Sequence, residues 1–241
     1  MQRINICCYS RWRCIHWRST FYGCDALKSV KIPESVTRIG AGALGECVSL
    51  TEIDIPDSVT SIEEGAFSEC TGLTHIKMPD RLISIEEAVC QDCSSLSYVD
   101  IPDSVTKIGY GAFAGCTSLT DVDIPDNVTS IGDGAFYRCK KISSVVIPDG
   151  LTDIKADTFQ DCRKLHSVKI PDSVTRIERA AFAGCISLEK IKVPDQATEI
   201  QAYAFKDCVN LTSIAIPDGV KRSWFGCIRK LFRFKGTSFA G

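Results

Sequence analysis

The chain has 241 residues, 28 basic and 30 acidic side chains and a formal net charge of −2, and 44% of its residues are hydrophobic. This composition is that of a folded globular protein and excludes a disordered chain, which could not bury enough apolar surface. It also excludes a chain whose overall charge suits nucleic acid, and the apolar runs are too short to span a bilayer.

The first predicted element is residues 1–20, an atypical N-terminal segment. It holds four arginines, no acidic residue and no apolar stretch as long as that of a secretory signal, so we expect no signal peptide there. Arg13 and His16 stand where later repeats place Val and Ile. Terminal repeats of an array are commonly degenerate because they cover its open end. We therefore expect residues 1–20 to form a degenerate coil or cap.

Residues 21–220 repeat with a period of 23. Nine cysteines recur at this spacing, from Cys24 to Cys208, and all nine prolines do the same, from Pro33 to Pro217. A single unit of this length cannot bury its own apolar positions, whereas stacked units cover one another. The strict period therefore predicts an array of stacked coils.

Within each unit, the residues before the proline alternate between apolar and polar, as in Leu119-Thr-Asp-Val-Asp-Ile-Pro125. This alternation is typical of a half-buried strand, and proline ends the strand because it has no N–H to donate. The segment that carries the aromatic residue and the cysteine, such as residues 131–139, is too short for an α-helix. It predicts a turn or a short 3₁₀ piece.

The last predicted element, residues 221–241, is a shortened and basic final coil. It carries six basic and no acidic residues. Because the N-terminal segment adds four arginines, residues 25–220 between the two have a formal charge of −12. One interpretation is a C-terminal cap for the stack. The other is an amphipathic segment that binds a membrane surface or a partner, because Trp224, Ile228, Leu231 and Phe232 recur at near-helical spacing.

Three motifs resemble those of the BspA-like leucine-rich-repeat family. Leu50-Thr-Glu-Ile53-Asp-Ile55 matches the strand core of a leucine-rich repeat, and residues 101–109 (IPDSVTKIG) and 111–116 (GAFAGC) match the BspA-like subclass. The resemblance covers residues 21–220. It implies a leucine-rich-repeat solenoid of the α/β horseshoe class, dominated by strands, with a parallel β-sheet on the concave face and short turns or 3₁₀ pieces on the convex face. It also implies a surface-associated protein that binds other proteins and mediates adhesion.

No pattern in the sequence predicts catalysis, a cofactor or a metal site. The three histidines belong to no nucleophile motif, and no glycine-rich phosphate loop is present. Cys90-Gln-Asp-Cys93 arises because Cys90 replaces the usual aromatic residue beside a periodic cysteine. Periodic cysteines on parallel coils point alongside one another, so we expect them to be reduced and to act as small apolar residues.

The outward positions of the predicted strands form the candidate partner-binding surface. They are mixed to acidic in the middle of the array and basic farther on, which suits charge-complementary binding of a protein. The candidate residues are Tyr98, Asp100, Asp121, Asp123, Lys169, Lys190 and Lys192. The sequence thus favours a non-enzymatic scaffold for protein–protein interaction, with a structural protein that has no specific partner, or a peripheral membrane-surface protein, as alternatives. We expect no nucleic-acid partner.

Overall fold

The computed structural model describes residues 18–220 and the backbone of residues 222–223. Within these residues the chain forms successive coils of short parallel strands and turns, and no helix. It follows that none of the described segments is a helix that could cross a bilayer. The predicted cap of residues 1–20 falls almost wholly outside the described residues, as do residues 224–241.

The strands predicted before the prolines are present in six of the nine coils, where they are three residues long, whereas Lys31 and Asp54 form only an isolated bridge and residues 121–123 form no regular strand. Each strand places one side chain in the core between two outward side chains, which is the alternation that the sequence shows. Neighbouring strands pair in parallel with a register shift of 23 residues, for example His75 with Tyr98. The pre-proline strands are His75–Lys77, Tyr98–Asp100, Ser144–Val146, Ser167–Lys169, Lys190–Lys192 and Ser213–Ala215.

A second ladder of two-residue strands follows the prolines, and the sequence analysis did not predict it. Eight of these strands, from Arg38–Ile39 to Glu199–Ile200, bury the periodic isoleucine, and the strands also pair in parallel at a spacing of 23 residues. The ladder continues one step past residue 220. The post-proline strands are Arg38–Ile39, Ser61–Ile62, Ser84–Ile85, Lys107–Ile108, Ser130–Ile131, Asp153–Ile154, Arg176–Ile177, Glu199–Ile200 and Arg222–Ser223.

The segment with the aromatic residue and the cysteine is a turn, as predicted. The backbone N–H of Phe136 donates to the carbonyl oxygen of Thr158 in the next coil at 3.0 Å, and equivalent bonds link the other coils. Two positions in each turn are left-handed, such as Gly134 at φ 59° and Arg138 at φ 60°. Glycine adopts this conformation without steric cost, which explains its recurrence in the turns.

Aromatic rings stack through the core along half of the array. The rings of Phe113, Phe136, Phe159, Phe182 and Phe205 follow one another with 5.6 Å between centroids and nearly parallel planes. Cys90 interrupts this column between Phe67 and Phe113. In the same coil Val89 replaces the alanine or threonine of the other coils, so part of the missing ring volume is restored.

The periodic cysteines are buried thiols that donate hydrogen bonds. Each of eight of them, from Cys47 to Cys208, donates from Sγ to the carbonyl oxygen of the residue 26 positions earlier, at 3.0–3.2 Å. The expectation that they act only as small apolar residues was therefore incomplete. They link one coil to the preceding one as well as filling the core.

Backbone hydrogen bonds join the coils on both sides of the stack. Just before the pre-proline strands they are 2.9–3.5 Å long, as between Ser97 N and Thr74 O at 2.9 Å. At the aromatic residue of the turns they are 2.8–3.0 Å long, as between Phe67 N and Val89 O at 2.9 Å.

Candidate functional site

The candidate site is the strand face, by which we mean the outward side chains of the pre-proline strands and of the equivalent residues in the other coils. Two columns of outward side chains run along the stack, one through Tyr98 and one through Asp100. Equivalent side chains in adjacent paired strands are separated by the strand spacing of about 4.8 Å. The face is therefore a grid in which each coil contributes two neighbouring positions.

The inward side chain of each strand anchors this grid in the core. Ile76, Val99 and Ile191 lie in the core between pairs of outward residues. A column of hydroxyl groups fixes it from the side: the Thr74 hydroxyl donates to Thr51 O at 3.2 Å and the Ser97 hydroxyl to Thr74 O at 3.0 Å. The outward side chains are thus presented by a backbone that is bonded to both neighbouring coils.

The structure places all seven predicted partner-binding residues on this one face. Six of the side chains are exposed and Asp100 is half-buried. Asp121 and Asp123 occupy the same grid positions, although their segment is not a regular strand; the N–H of Thr120, just before them, donates to Ser97 O at 3.3 Å. Whether these residues bind a partner stays a prediction.

From the coil of Tyr98 to the coil of Lys192, the charged residues of the face separate into two groups. The acidic group is Asp100, Asp121 and Asp123, and the basic group is Lys169, Lys190 and Lys192. Among the described residues, none of the six lies within ion-pair distance of an opposite charge. Between the groups, the Val146 side chain is 57% exposed, so the centre of the face is apolar.

A stacked aromatic pair lies beside the acidic group, and the sequence analysis missed the pairing. The rings of His75 and Tyr98 lie 5.3 Å apart with an angle of 9° between their planes. Their 23-residue separation in the repeat was the available signal. Stacking restricts Tyr98, whose side chain is 46% exposed, and an aromatic side chain that is already ordered loses less entropy on binding.

The turns carry a second surface feature that the sequence did not indicate. A groove of about 530 Å³ crosses several coils, and its lining includes Tyr110, Tyr137, Asp157 and Arg179. Arg179 donates to Asp157 at 2.7 Å. Burial raises the pKa of Asp157, and the charge of Arg179 opposes that shift. This internal pair occupies two of the three charged residues that line the groove, the third being Asp133.

The buried thiols of residues 47–208 all have a raised pKa. Burial raises the pKa of Cys47 to about 11 and that of Cys208 to about 12. Contact with Cys90, together with burial, raises the pKa of Cys93 well above the usual thiol range. A high pKa suppresses the thiolate that acts as nucleophile or metal ligand. Within residues 18–220, no three Cys, His, Asp or Glu side chains are grouped so as to hold a metal ion.

A stack of parallel 23-residue coils with the Leu-x-x-Ile-x-Ile strand is a leucine-rich-repeat solenoid. The sequence model described as "BspA type Leucine rich repeat region (6 copies)" matches residues 17–120 and 106–226. The chain therefore belongs to the BspA-type leucine-rich-repeat family, as its motifs predicted. Proteins of this family and fold are generally non-enzymatic scaffolds for protein interaction.

Solved structures of leucine-rich-repeat proteins resemble this one. A leucine-rich repeat protein from Bacteroides ovatus is 24% identical, covers 85% of this chain and 76% of its own length, and superimposes with a TM-score of 0.54, which supports the fold. A leucine-rich repeat protein of T. pallidum is 29% identical over 91% of this chain and 77% of its own, with a TM-score of 0.48. A leucine rich cell surface protein from Faecalibacterium prausnitzii is 27% identical over 80% and 74%, with a TM-score of 0.45. No curated protein sequence matches the chain.

Proposed function

We propose that this protein is a non-enzymatic scaffold that binds another protein through the strand face. The separation of unpaired acidic and basic groups on that face carries the proposal. Some charged side chains of this chain pair with a neighbour, as Asp153 does with Arg176 at 2.6 Å, whereas the six residues of the acidic and basic groups do not. Charges that are held in order but left without a partner are suited to complementary charges on another molecule.

The finer form of the proposal is a role in adhesion at a cell surface. It draws on the family resemblance, since members of this family are commonly surface proteins that bind other proteins. A purely structural protein with no partner is the competing hypothesis. Attachment to a membrane through residues 221–241 concerns a segment that lies almost wholly outside the described residues.

Affinity capture with charge-reversed bait distinguishes the scaffold from the structural protein. Lys190→Glu/Lys192→Glu reverses the basic group, and Arg81→Glu/Lys107→Glu makes the same charge change at exposed residues outside the strand face. We expect the first variant to lose proteins other than this chain that the native bait captures from cells expressing it, and the second to retain them. Equal capture by all three baits would contradict the proposal.

A further inference from the structure

We infer that the strand face binds a second copy of this chain, in an antiparallel dimer with a two-fold axis through Val146. This inference rests on the proposed function, because it takes the strand face to be a protein-binding surface and names the partner. The argument uses the positions of the two charged groups on the grid and the symmetry that a dimer of identical chains requires. An isologous interface must place each residue i against j and each j against i.

Two limiting arrangements that keep the strands of both copies aligned bring two such faces together with two-fold symmetry. If the axis runs along the stack, each coil meets its own copy with the strand direction reversed. Asp121 then faces Asp123 and Lys190 faces Lys192, which are like charges. If the axis runs along the strands, the order of the coils is reversed and each column meets itself. Only this second arrangement brings the acidic group of one copy onto the basic group of the other.

The register follows from the number of coils between the two groups. With the axis at Val146, Asp100 lies two coils before the axis and Lys192 lies two coils after it. All three residues are in the same column. Asp100 therefore faces Lys192 of the other copy. By the same count, Asp123 faces Lys169, one coil on either side of the axis. Each pair occurs twice, so the dimer gains four ion pairs.

The remaining positions near the axis are compatible with this register. Tyr98 faces Lys190 of the other copy, which places an ammonium group against an aromatic ring. Val146 meets its own copy at the centre, where its exposed side chain becomes buried. Lys77, which bonds Asp80 in its own chain at 3.4 Å, faces Ala215. No two like charges face each other in the coils from Lys77 to Ala215.

Shifting the register by one coil is less favourable. In one direction Lys77 faces Lys192, which sets two ammonium groups against each other. In the other direction Asp121 and Asp123 face Lys190 and Lys192, which also gives four ion pairs, but Asp100 faces the apolar Ala215, and Lys169 faces Val146. Burying a charge against an apolar residue is unfavourable. The axis at Val146 is therefore the most favourable of the three registers.

The extent of the face sets the strength of the dimer. Seven coils at ~4.8 Å give a length of about 34 Å, and three-residue strands at ~3.4 Å per residue give a width of about 10 Å, or roughly 340 Å² per copy. The total of about 700 Å² is below the size of stable specific interfaces and is that of a weak, transient contact. We therefore expect a weak, reversible dimer that dissociates as salt screens its four ion pairs.

Sedimentation velocity of charge-swap variants tests the inference. In Asp100→Lys the introduced lysine would face Lys192, and in Lys192→Asp the introduced aspartate would face Asp100, so each variant alone should weaken self-association more than ten-fold. An equimolar mixture of the two single variants should form a dimer of one copy of each, because both pairs are then of opposite charge. The double variant Asp100→Lys/Lys192→Asp should dimerise like the native chain, and Arg81→Glu should leave self-association unchanged.

The outcomes separate this inference from the proposed function. A native chain that stays monomeric at about 0.5 mM and low salt, or single variants that fail to associate when mixed while the double variant also stays monomeric, would overturn the dimer. If capture of other proteins still depends on Lys190 and Lys192 in that case, the proposed function stands and only the identity of the partner is wrong. If neither the capture of other proteins nor self-association depends on Lys190 and Lys192, both proposals fail.

Discussion

The thiol of Cys139 donates a hydrogen bond to the carbonyl oxygen of Phe113, with Sγ and O 3.1 Å apart. The same oxygen accepts the backbone N–H of Cys116 at 3.2 Å. The carbonyl of the aromatic residue is thus bonded by a cysteine of its own coil and by a cysteine of the next coil. A residue at this position must be small enough to fit the core and must also carry a donor.

Because the Cys139 thiol donates a hydrogen bond, we can predict how substitutions at this position rank in stability. Cys139→Ala removes the donor and leaves a small void, and we expect it to lower the free energy of unfolding by about 1–2 kcal/mol. Cys139→Ser keeps a donor and should cost no more than the alanine variant. Chemical denaturation measures both, and the same substitutions at Cys162 replicate the comparison. A serine variant clearly less stable than the alanine variant would show that the site is simply apolar.

The stacked rings predict a large loss for Phe182→Ala. Phe182 lies between Phe159 and Phe205 and is fully buried. Truncation of such a ring typically costs ~3–5 kcal/mol, because the surrounding coils cannot close the cavity. Cys90→Ala, at the equivalent position where the ring is already missing, should cost clearly less. Equal losses in urea denaturation would contradict this account of the core.

The left-handed turn positions predict that one glycine substitution stabilises the protein. Ala88 has φ 53°, a conformation that is sterically costly for alanine. Relief of that strain outweighs the entropy that glycine adds to the unfolded chain, so Ala88→Gly should raise the free energy of unfolding by about 0.5–1 kcal/mol. Ala114→Gly, at a half-buried position in the next coil without a positive φ, should lower it by about as much. Thermal unfolding of both variants shows whether each substitution raises or lowers the stability of the protein.

The ion pair between Asp153 and Arg176 predicts part of the acid sensitivity. The Arg176 hydrogen bond lowers the pKa of Asp153, against the opposing effect of burial. A lowered pKa in the folded state gives stability above the ordinary aspartate pKa of ~3.9, and this stability is lost as the pH falls through the folded value. Arg176→Gln should therefore reduce the loss of stability between about pH 5 and pH 3. Denaturation at several pH values measures it, with Arg81→Gln as a control of equal charge change.

Burial of the thiols predicts slow alkylation of the folded protein. Burial raises the pKa of Cys139 and of Cys185 well above the ordinary thiol value, so little thiolate exists at pH 8. We therefore expect peptide mapping to show these two cysteines unmodified by iodoacetamide until the protein is unfolded. Disulfide-linked peptides from neighbouring coils in a non-reducing map would contradict the assignment of these residues as thiols.

The period and the alternation were sufficient to predict the array, the pre-proline strands and the outward position of Tyr98 and its six charged companions. The post-proline ladder was missed because each of its strands is only two residues long, so no alternation marks it. The periodic isoleucine was its only signal. The thiol hydrogen bonds were missed because their acceptors are backbone carbonyls. Every residue has such a carbonyl, so the sequence does not show which one accepts. A strictly periodic cysteine, where alanine or valine would also fit, was the clue.

The backbone hydrogen bonds between coils, which join residues 22 to 24 positions apart, bear on how such a chain varies in length. A whole coil can be inserted or deleted without changing any donor–acceptor relation in the core, because every interior coil offers its neighbours the same groups. The strand face has no such freedom, since each coil gained or lost between the acidic and the basic group moves them apart or together by ~4.8 Å. Under the proposed function, the number of repeats between the two groups is therefore constrained by the surface chemistry of the strand face, and a change in copy number would change what that face binds.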